Sequence, residues 1–449
     1  MTTAEAAIDF GELPTGWTQV PVRSVVRKRR KLVGGNSASY KLLSLTLRGV
    51  IVRDLTGMKG KFPASFETYQ VVEPGDLVLC MFDVEETPRT VGLSRHHGMI
   101  TGAYDVYRSD DSLALEYLTR LLLVLDENKS LAPLYRGLRK TIPRSAFESL
   151  KVPMPSKDEQ RLIVRYLDHA ELRIAKAIAA KQDVVRLLRE ARLAMISETV
   201  LAGIGTDVER IESGIPGVGS VPAHWRIRRA KYVWKAIDVR SITGTEERLT
   251  VSSASGIVPR SSKNVTMFEA ATYVGHKVVQ PNDLVINSLW AWAGGLGVSN
   301  HHGLVSPVYG VYRLRGDAQC DPEFMHNLLR SNACQWQFQV RSKGIWRSRL
   351  SITDEAFFDM PLPLPPLEEQ QTLAAAIRTQ TSNVDRAIAS VLDEIALLKE
   401  YRIRLISDVV TGKLDVRDEA AKLPDVDPME LVTVAVGENG DDEEATDDD

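Results

Sequence analysis

The chain has 449 residues, of which 44% are hydrophobic and 26% are charged. This composition is typical of a soluble globular protein, and the length predicts two to four domains. No run approaches the roughly 18 apolar residues of a membrane span, and residues 1–10 lack a signal-peptide pattern, so we expect a cytoplasmic protein. The three cysteines form no CxxC pair, which argues against structural zinc and against a disulfide framework.

Charge is distributed unevenly along the chain. Residues 415–449 contain 14 acidic side chains and two basic ones, so their formal charge is −12, whereas residues 1–414 carry +9. A basic body suits a polyanionic partner. The acidic tail is expected to be disordered, either as a solubility tail or as a competitor of nucleic acid for the basic surfaces.

Several stretches of the first half recur in the second half. Residues 71–78 (VVEPGDLV) match residues 278–285 (VVQPNDLV) at a shift of 207, and residues 94–108 match residues 299–313 at a shift of 205. An apolar run, a Pro-Gly-Asp or Pro-Asn-Asp turn and a second apolar run are typical of strand, turn and strand. The repeats predict two similar mixed α/β domains.

Each globular segment is followed by a proline-containing connector and a long helical pattern. The two patterns begin with Asp158-Glu159-Gln160 and Glu368-Glu369-Gln370 and end at Gly203 and Gly412. Acidic residues in the first turn suit the helix dipole. Apolar residues at alternating steps of three and four predict a heptad seam, and a shift of 210 superimposes the two copies. The seam residues are Ile174, Ile178, Val185, Leu188 and Met195 in the first copy, and Val384, Ile388, Val391, Ile395, Leu398, Leu405 and Val409 in the second.

The predicted fold class is α+β with a pseudo-twofold internal repeat. Two similar mixed α/β domains, residues 1–155 and 204–362, are separated by two long helices, residues 156–203 and 363–414, that form an antiparallel coiled coil. The acidic tail covers residues 415–449. Two basic domains held at a fixed distance suit two half-sites on one DNA duplex.

Basic clusters in both segments are the predicted DNA-contacting residues, because Arg and Lys contact phosphates and base edges. A single charge run is more often a solvated surface, but these clusters recur in both halves. The candidates of the first segment are Arg27, Lys28, Arg29, Arg30, Lys31, Lys59, Lys61, Arg136, Arg139 and Lys140. Those of the second are Arg260, Lys263, Arg341, Lys343, Trp346, Arg347 and Arg349.

Sequence motifs of several enzyme classes are missing. The chain contains no GxxxxGK[ST], no GxGxxG followed by a helix, no HExxH, no GxSxG, and no Asn-Pro-Pro-Tyr or Asp-Pro-Pro-Tyr. The pairs His96-His97 and His301-His302 suggest metal ligands, but adjacent strand residues point to opposite faces and no neighbouring Cys or carboxylate set completes a site. We therefore expect a turn or surface role for them, and no catalytic, cofactor or metal residues.

Taken together, these features resemble the specificity (S) subunit of type I restriction-modification enzymes. The resemblance rests on the segment openings Gly16-Trp17 and His224-Trp225, the Pro-Gly-Asp-Leu-Val and Pro-Asn-Asp-Leu-Val turns, the proline connectors and the Glu-Gln helix starts. It extends from about Leu13 to Leu414 and excludes the acidic tail.

The resemblance implies that residues near 13–155 and 221–362 are target-recognition domains, each reading one half of a split DNA sequence. It also implies that the helices set the spacing and dock two methyltransferase (M) subunits, with two restriction (R) subunits joining the assembly. S-adenosylmethionine, ATP and magnesium would belong to those partners, and this chain would be non-catalytic. The residues alone leave two alternatives: a coiled-coil scaffold whose repeated domains bind protein or sugar, and a self-sufficient DNA methyltransferase or nuclease.

Overall fold

The computed structural model describes residues 8–53, 65–204, 208–253, 255–262, 272–344 and 350–426. The chain divides into two compact units. The first comprises the described residues up to Ala180 together with those from Glu394 onward, and the second comprises those of Lys181–Asp393. Each long helix therefore contributes one part to each unit, whereas the sequence predicted the helices as separate segments.

The first unit contains the following elements. Its strands are β1 (Thr18–Pro21), β2 (Arg27–Arg29), β3 (Leu43–Thr46), β4 (Gly49–Val52), β5 (Gln70–Val72), β6 (Leu77–Leu79), β7 (Val91–Leu93), β8 (Gly98–Ile100), β9 (Asp105–Arg108) and β10 (Lys151–Met154). Its helices are α1 (Ser112–Glu127), α2 (Arg144–Ser149) and the beginning of the long helix α3 (Lys157–Ala202).

A four-stranded antiparallel sheet with the order β2-β9-β6-β7 is the largest sheet of the first unit among the described residues. The pairs β1-β10, β3-β4 and β5-β8 are also antiparallel. Val78 and Val106 of the sheet pack with Leu43, Val72 and Ile100 in one apolar cluster. Burial of these β-branched and aliphatic side chains stabilises the sheet on one face.

The second unit contains the next set of elements. Its strands are β11 (Arg210–Glu212), β12 (Ser220–Pro222), β13 (Arg226–Arg229), β14 (Trp234–Ala236), β15 (Leu249–Ser252), β16 (Gly256–Pro259), β17 (Lys277–Val279), β18 (Leu284–Ile286), β19 (Leu296–Val298), β20 (Gly303–Val305), β21 (Gly310–Leu314) and β22 (Pro361–Leu364). Its helices are α4 (Pro322–Arg330), α5 (Asn332–Arg341), α6 (Asp354–Phe358) and the beginning of the long helix α7 (Leu367–Val410); α8 (Arg417–Ala420) follows in the first unit.

Strand order in the second unit follows the pattern of the first. The four-stranded sheet has the order β14-β21-β18-β19, and the pairs β13-β22, β15-β16 and β17-β20 take the places of β1-β10, β3-β4 and β5-β8. The second unit has the pair β11-β12 in addition. Mixed α/β architecture is thus present in both units.

The repeated Pro-Gly-Asp and Pro-Asn-Asp turns join β5 to β6 and β17 to β18. Gly75 and Asn282 adopt left-handed φ angles of +83° and +71°, which Gly and Asn tolerate best. The following Asp closes each turn: Asp76 accepts a hydrogen bond from the backbone N–H of Glu73 at 2.8 Å, and Asp283 accepts one from that of Gln280 at 2.9 Å. The turn chemistry read from the sequence therefore has a local physical cause.

Both long helices begin with the same glutamine contact. Gln160 donates from its side chain to the Pro155 carbonyl at 2.8 Å, and Gln370 donates to the Pro365 carbonyl at 2.8 Å. This bond ties the first turn of each helix to the connector that precedes it. At the other end, Gly203 has a φ of +77°, and a Cβ added there would lie 2.6 Å from Pro222 Cγ, so only glycine fits.

The long helices bury two apolar faces. Each predicted seam residue is buried or half-buried, although their role as a coiled-coil seam stays a prediction. A second face was missed because its residues lie off the heptad positions: Leu373 of α7 and Ile196 and Val200 of α3 join the core of the second unit with Trp234. The helices are therefore part of that core.

Polar contacts fix the direction of α3 relative to α7 within the second unit. Arg192 binds Asp385 at 2.6 Å, and Thr199 binds Gln380 at 2.8 Å. The residue number rises along α3 as it falls along α7, so the two segments run in opposite directions. The Arg192–Asp385 pair is partly exposed and contributes about 0.2–1 kcal/mol, so apolar burial dominates the packing.

The burial of the predicted seam can be tested at Ile178, whose side chain is fully buried in the first unit. We expect Ile178→Ala to lower the free energy of unfolding by about 2–4 kcal/mol, because it leaves a cavity. Leu397→Ala, at a site that is 64% exposed on α7, should change it by less than about 0.5 kcal/mol. Denaturant unfolding followed by circular dichroism measures both, and equal losses would contradict the packing.

Candidate nucleic-acid interface

The basic run at residues 27–31 divides into inward and outward side chains. Arg27, Arg30 and Lys31 are exposed, whereas Lys28 and Arg29 are half-buried on strand β2. Lys28 donates to Asp105 Oδ1 at 2.6 Å. These two half-buried cations are held by internal carboxylates, so the exposed members are better placed to contact a phosphate. That all five contact DNA stays a prediction.

Asp76 is the buried centre of an ion-pair network in the first unit. It is fully buried and accepts from Arg29 Nη1 at 2.8 Å and from Arg108 Nε at 2.7 Å. Glu73 binds the same two arginines, at 2.6 Å and 2.9 Å. Hydrogen bonding to Arg29 is the main cause that lowers the pKa of the Glu73 carboxyl. A buried carboxylate with two guanidinium partners stabilises the strand arrangement.

Asp283 occupies the corresponding turn of the second unit. It is fully buried and accepts from Arg313 Nε at 2.7 Å and from Arg313 Nη2 at 2.8 Å. Sequence reasoning interpreted both aspartates as turn residues and missed their arginine partners. The signal was present: the Asp recurs at a shift of 207, and an arginine recurs at the end of the matched 94–108 and 299–313 segments.

A short hairpin presents the second basic cluster of the first unit. Reciprocal backbone hydrogen bonds of 2.8 Å and 3.0 Å between Arg136 and Thr141 close it. Arg139 binds Asp83 and lowers the pKa of that carboxyl, and its guanidinium lies 5.3 Å from the ring centroid of Phe82. Leu138, at the tip, is fully exposed. The hairpin is thus anchored by Arg139, while its tip faces solvent.

The described basic candidates of the second unit lie on different elements. Arg260 lies at the end of the β15-β16 hairpin and is half-buried, and Arg341 ends α5. Lys343 is exposed and pairs with Ser351 through backbone hydrogen bonds of 2.9 Å and 3.0 Å, which resembles the closure of the 136–141 hairpin. Several other predicted residues lie outside the described residues: Lys59, Lys61, Lys263, Trp346, Arg347 and Arg349. Most of the acidic tail, residues 427–449, also lies outside them.

The paired histidines lie in matching turns. Ser94 Oγ accepts from the His96 N–H at 3.2 Å and donates to the His96 carbonyl at 2.9 Å, and Ser299 makes the same two bonds with His301. Within the described ranges, no group of three or more His, Cys, Asp or Glu is arranged to hold a metal ion. No helix in the described part of the chain is long and apolar enough to cross a membrane.

Comparison with curated proteins finds two type I restriction enzyme subunits. The chain is 21% identical over 464 residues to the StySPI specificity subunit of Salmonella potsdam, covering 90% of this chain and 94% of that protein. It is 20% identical over 295 residues to the MjaVIII specificity subunit of Methanocaldococcus jannaschii, covering 62% of this chain and 65% of that protein. No family model matches the chain. The chain therefore resembles type I restriction enzyme specificity subunits.

Comparison with solved structures bears on the fold alone. A chain from a structure describing complex assembly and conformational transition of a type I R-M system has a TM-score of 0.53 at 17% identity, with 90% of this chain and 100% of that chain covered. The HsdS subunit from Thermoanaerobacter tengcongensis has a TM-score of 0.39 at 17% identity, with 90% and 99% covered. Of these two, the first shows a shared fold.

The division of the basic run predicts different outcomes for neighbouring arginines. Arg29→Gln should lower the free energy of unfolding by about 1–3 kcal/mol, because buried Asp76 loses a charged partner. Arg30→Gln should leave stability within about 0.5 kcal/mol and reduce the slope of log K against log salt for duplex DNA by about one. Denaturant unfolding and fluorescence anisotropy measure the two effects. If Arg29→Gln lost DNA affinity at unchanged stability while Arg30→Gln did not, Arg29 and not Arg30 would be the residue that contacts a phosphate.

Proposed function

We propose that this chain is the DNA-recognition subunit of a type I restriction-modification system and reads a split target with two recognition domains. The observation that carries this proposal is the similarity to the StySPI specificity subunit, which covers 90% of this chain and 94% of that protein. A match of that extent includes both globular segments and both helices. It is more informative than a match confined to one domain.

Matching sheet order in the two units supports the bipartite reading. The orders β2-β9-β6-β7 and β14-β21-β18-β19 and the matching strand pairs fit a duplicated domain. Two domains of one fold that differ in loop side chains would each read their own half-site. Phosphate contacts from the exposed Arg and Lys would position them on the duplex, and base-edge contacts would specify the sequence.

The opposite direction of α3 and α7 in the second unit supports an antiparallel coiled coil. In the proposed subunit this coiled coil sets the spacing between half-sites and docks two M subunits, with two R subunits in the larger assembly. Exposed apolar residues on the helices, including Leu187, Leu392 and Tyr401, are available for such docking. The chain itself is then non-catalytic, and S-adenosylmethionine, ATP and magnesium act in the partner subunits.

Methylome sequencing tests the proposal directly. Cells that carry this chain with its neighbouring methyltransferase subunit are compared with cells that lack only this chain. We expect a split methylated motif that disappears with the chain, and its two halves name the half-sites. Unchanged methylation, together with no binding of the purified chain to duplex DNA, would contradict the proposal and favour the scaffold alternative.

The coiled-coil role predicts a separate effect of the seam. Ile395 is 7% exposed, so Ile395→Asp should separate the helices, because burying an unpaired carboxylate is unfavourable. We expect the preference for one spacing between half-sites to weaken while each half-site is still recognised. Leu397→Asp, at a site that is 64% exposed two residues away, is the matched control. Binding assays on duplexes with different spacers measure the preference, and full retention in Ile395→Asp would contradict the ruler role.

A further inference from the structure

A cavity of 880 Å³ lies within the second unit, between α3, α4 and α7. Four arginines line it: Arg189 and Arg192 from α3, Arg330 from α4 and Arg378 from α7. The polar side chains of His326 and Asn327 also line it. None of these residues was among the sequence candidates, because they come from three separate helices and form no basic run.

Several of the cavity's charges are already neutralised. Arg378 binds Glu323 with Nε at 3.0 Å, and Arg192 binds Asp385. Asp321, another lining residue, caps α4 by accepting from the Phe324 N–H at 2.8 Å. Arg189 is exposed, and no ion pair of its guanidinium is found in the described part of the chain. Arg189 therefore adds net positive charge at the cavity wall.

Arg330 is a second positively charged residue of the cavity lining. Its guanidinium donates to the carbonyl oxygens of Leu296 at 2.7 Å, Gly294 at 3.1 Å and Ser252 at 3.3 Å. Burial, and then the charge of Arg192, lower the pKa of Arg330 to about 10. A buried cation held by carbonyl dipoles costs free energy that an anion nearby would offset.

His326 offers a neutral donor beside this charge. Its Nδ1 accepts a hydrogen bond from the Val298 N–H at 3.2 Å, so the ring proton lies on Nε2. Burial lowers the pKa of His326 to about 4, with Arg330 contributing in the same direction. At neutral pH the ring is uncharged and donates from Nε2 only.

The corresponding place in the first unit is built differently. At the shift of 210, Arg120 corresponds to Arg330, but Arg120 binds the carboxylate of Asp168 and lies 3.8 Å from that of Glu171. The positions that correspond to these two carboxylates are Arg378 and Thr381. The first unit thus neutralises its buried arginine with its own side chains, whereas the second unit replaces both carboxylates at those positions.

We propose that the cavity of the second unit binds a phosphate group, with Arg189, Arg192 and Asn327 in contact with it and the charge of Arg330 nearby in the same lining. The phosphate is either a phosphodiester of duplex DNA or the phosphate of a free small molecule. In the first case the site deepens the proposed DNA-recognition function, and it rests on that function. In the second case it is independent of it. The difference at positions 378 and 381 distinguishes this site from the corresponding place in the described part of the first unit.

Arg189→Gln is the test variant, since Arg189 is exposed and its loss should leave the fold intact. Arg186→Gln, one turn earlier on α3 and outside the cavity lining, is the matched control; Arg186 pairs with Asp183 and Glu190. Inorganic phosphate is titrated into the full chain by calorimetry at constant ionic strength. Duplex binding is measured at several salt concentrations, and circular dichroism checks folding.

We expect Arg189→Gln to weaken phosphate binding about tenfold, or to reduce the salt slope of DNA binding by about one across all sequences, while Arg186→Gln does neither. An effect on free phosphate with an unchanged DNA slope identifies a small-molecule source, and an effect on the DNA slope identifies the DNA backbone. The proposed phosphate site is contradicted if Arg189→Gln leaves both phosphate binding and the DNA salt slope unchanged. It is also contradicted if Arg186→Gln causes losses equal to those of Arg189→Gln. If the unaltered chain binds no DNA, the proposed function fails, and the phosphate titration still decides the cavity.

Discussion

One buried carboxylate, that of Glu369, joins three segments of the second unit. It accepts hydrogen bonds from the Ile204 N–H at 3.1 Å and from Trp225 Nε1 at 3.1 Å, and it contacts His224 Nε2 at 2.7 Å. A carboxylate that is 9% exposed is stable there because these donors replace water. The end of α3, the opening of the globular segment and the first turn of α7 are therefore fixed together, and the remaining packing of the unit depends on their positions.

Much of the fold was accessible from the sequence because its causes are local. The Pro-Gly-Asp and Pro-Asn-Asp turns, and the bonds from Gln160 to Pro155 and from Gln370 to Pro365, each involve residues close together in the chain. The structural role of Glu369 could not be predicted from the sequence. Its position in the first turn favoured a helix-dipole interpretation, whereas its partners, His224 and Trp225, lie almost 150 residues away and are identified only by the folded chain.

The candidate interface was harder to predict from the sequence than the fold, because the pairing of its side chains also depends on residues that are far apart in the chain. A basic run such as residues 27–31 shows where charge is concentrated but not which side chains are already paired. Lys28 meets Asp105 and Arg29 meets Asp76 only because β2 and β6 both lie beside β9 in one sheet. Exposure and pairing, which decide whether an arginine is free to contact a phosphate, follow from tertiary structure.

The two units share one architecture within a single chain. Residues that both units share are therefore assigned to folding, and residues that differ between them are assigned to other requirements. Both units bury an aspartate after β5 or β17 and bind it to an arginine, so this pairing belongs to the architecture. The arginines Arg120 and Arg330 also lie at matching positions, yet Asp168, which binds Arg120, has Arg378 as its counterpart, and Arg378 lines the same cavity as Arg330. Since the same architecture forms with a carboxylate at this position in one unit and with an arginine in the other, folding does not require the arginine. A requirement outside folding, such as the binding of an anion, is then a physical reason for the replacement of both carboxylates, Asp168 and Glu171, by Arg378 and Thr381 in the second unit.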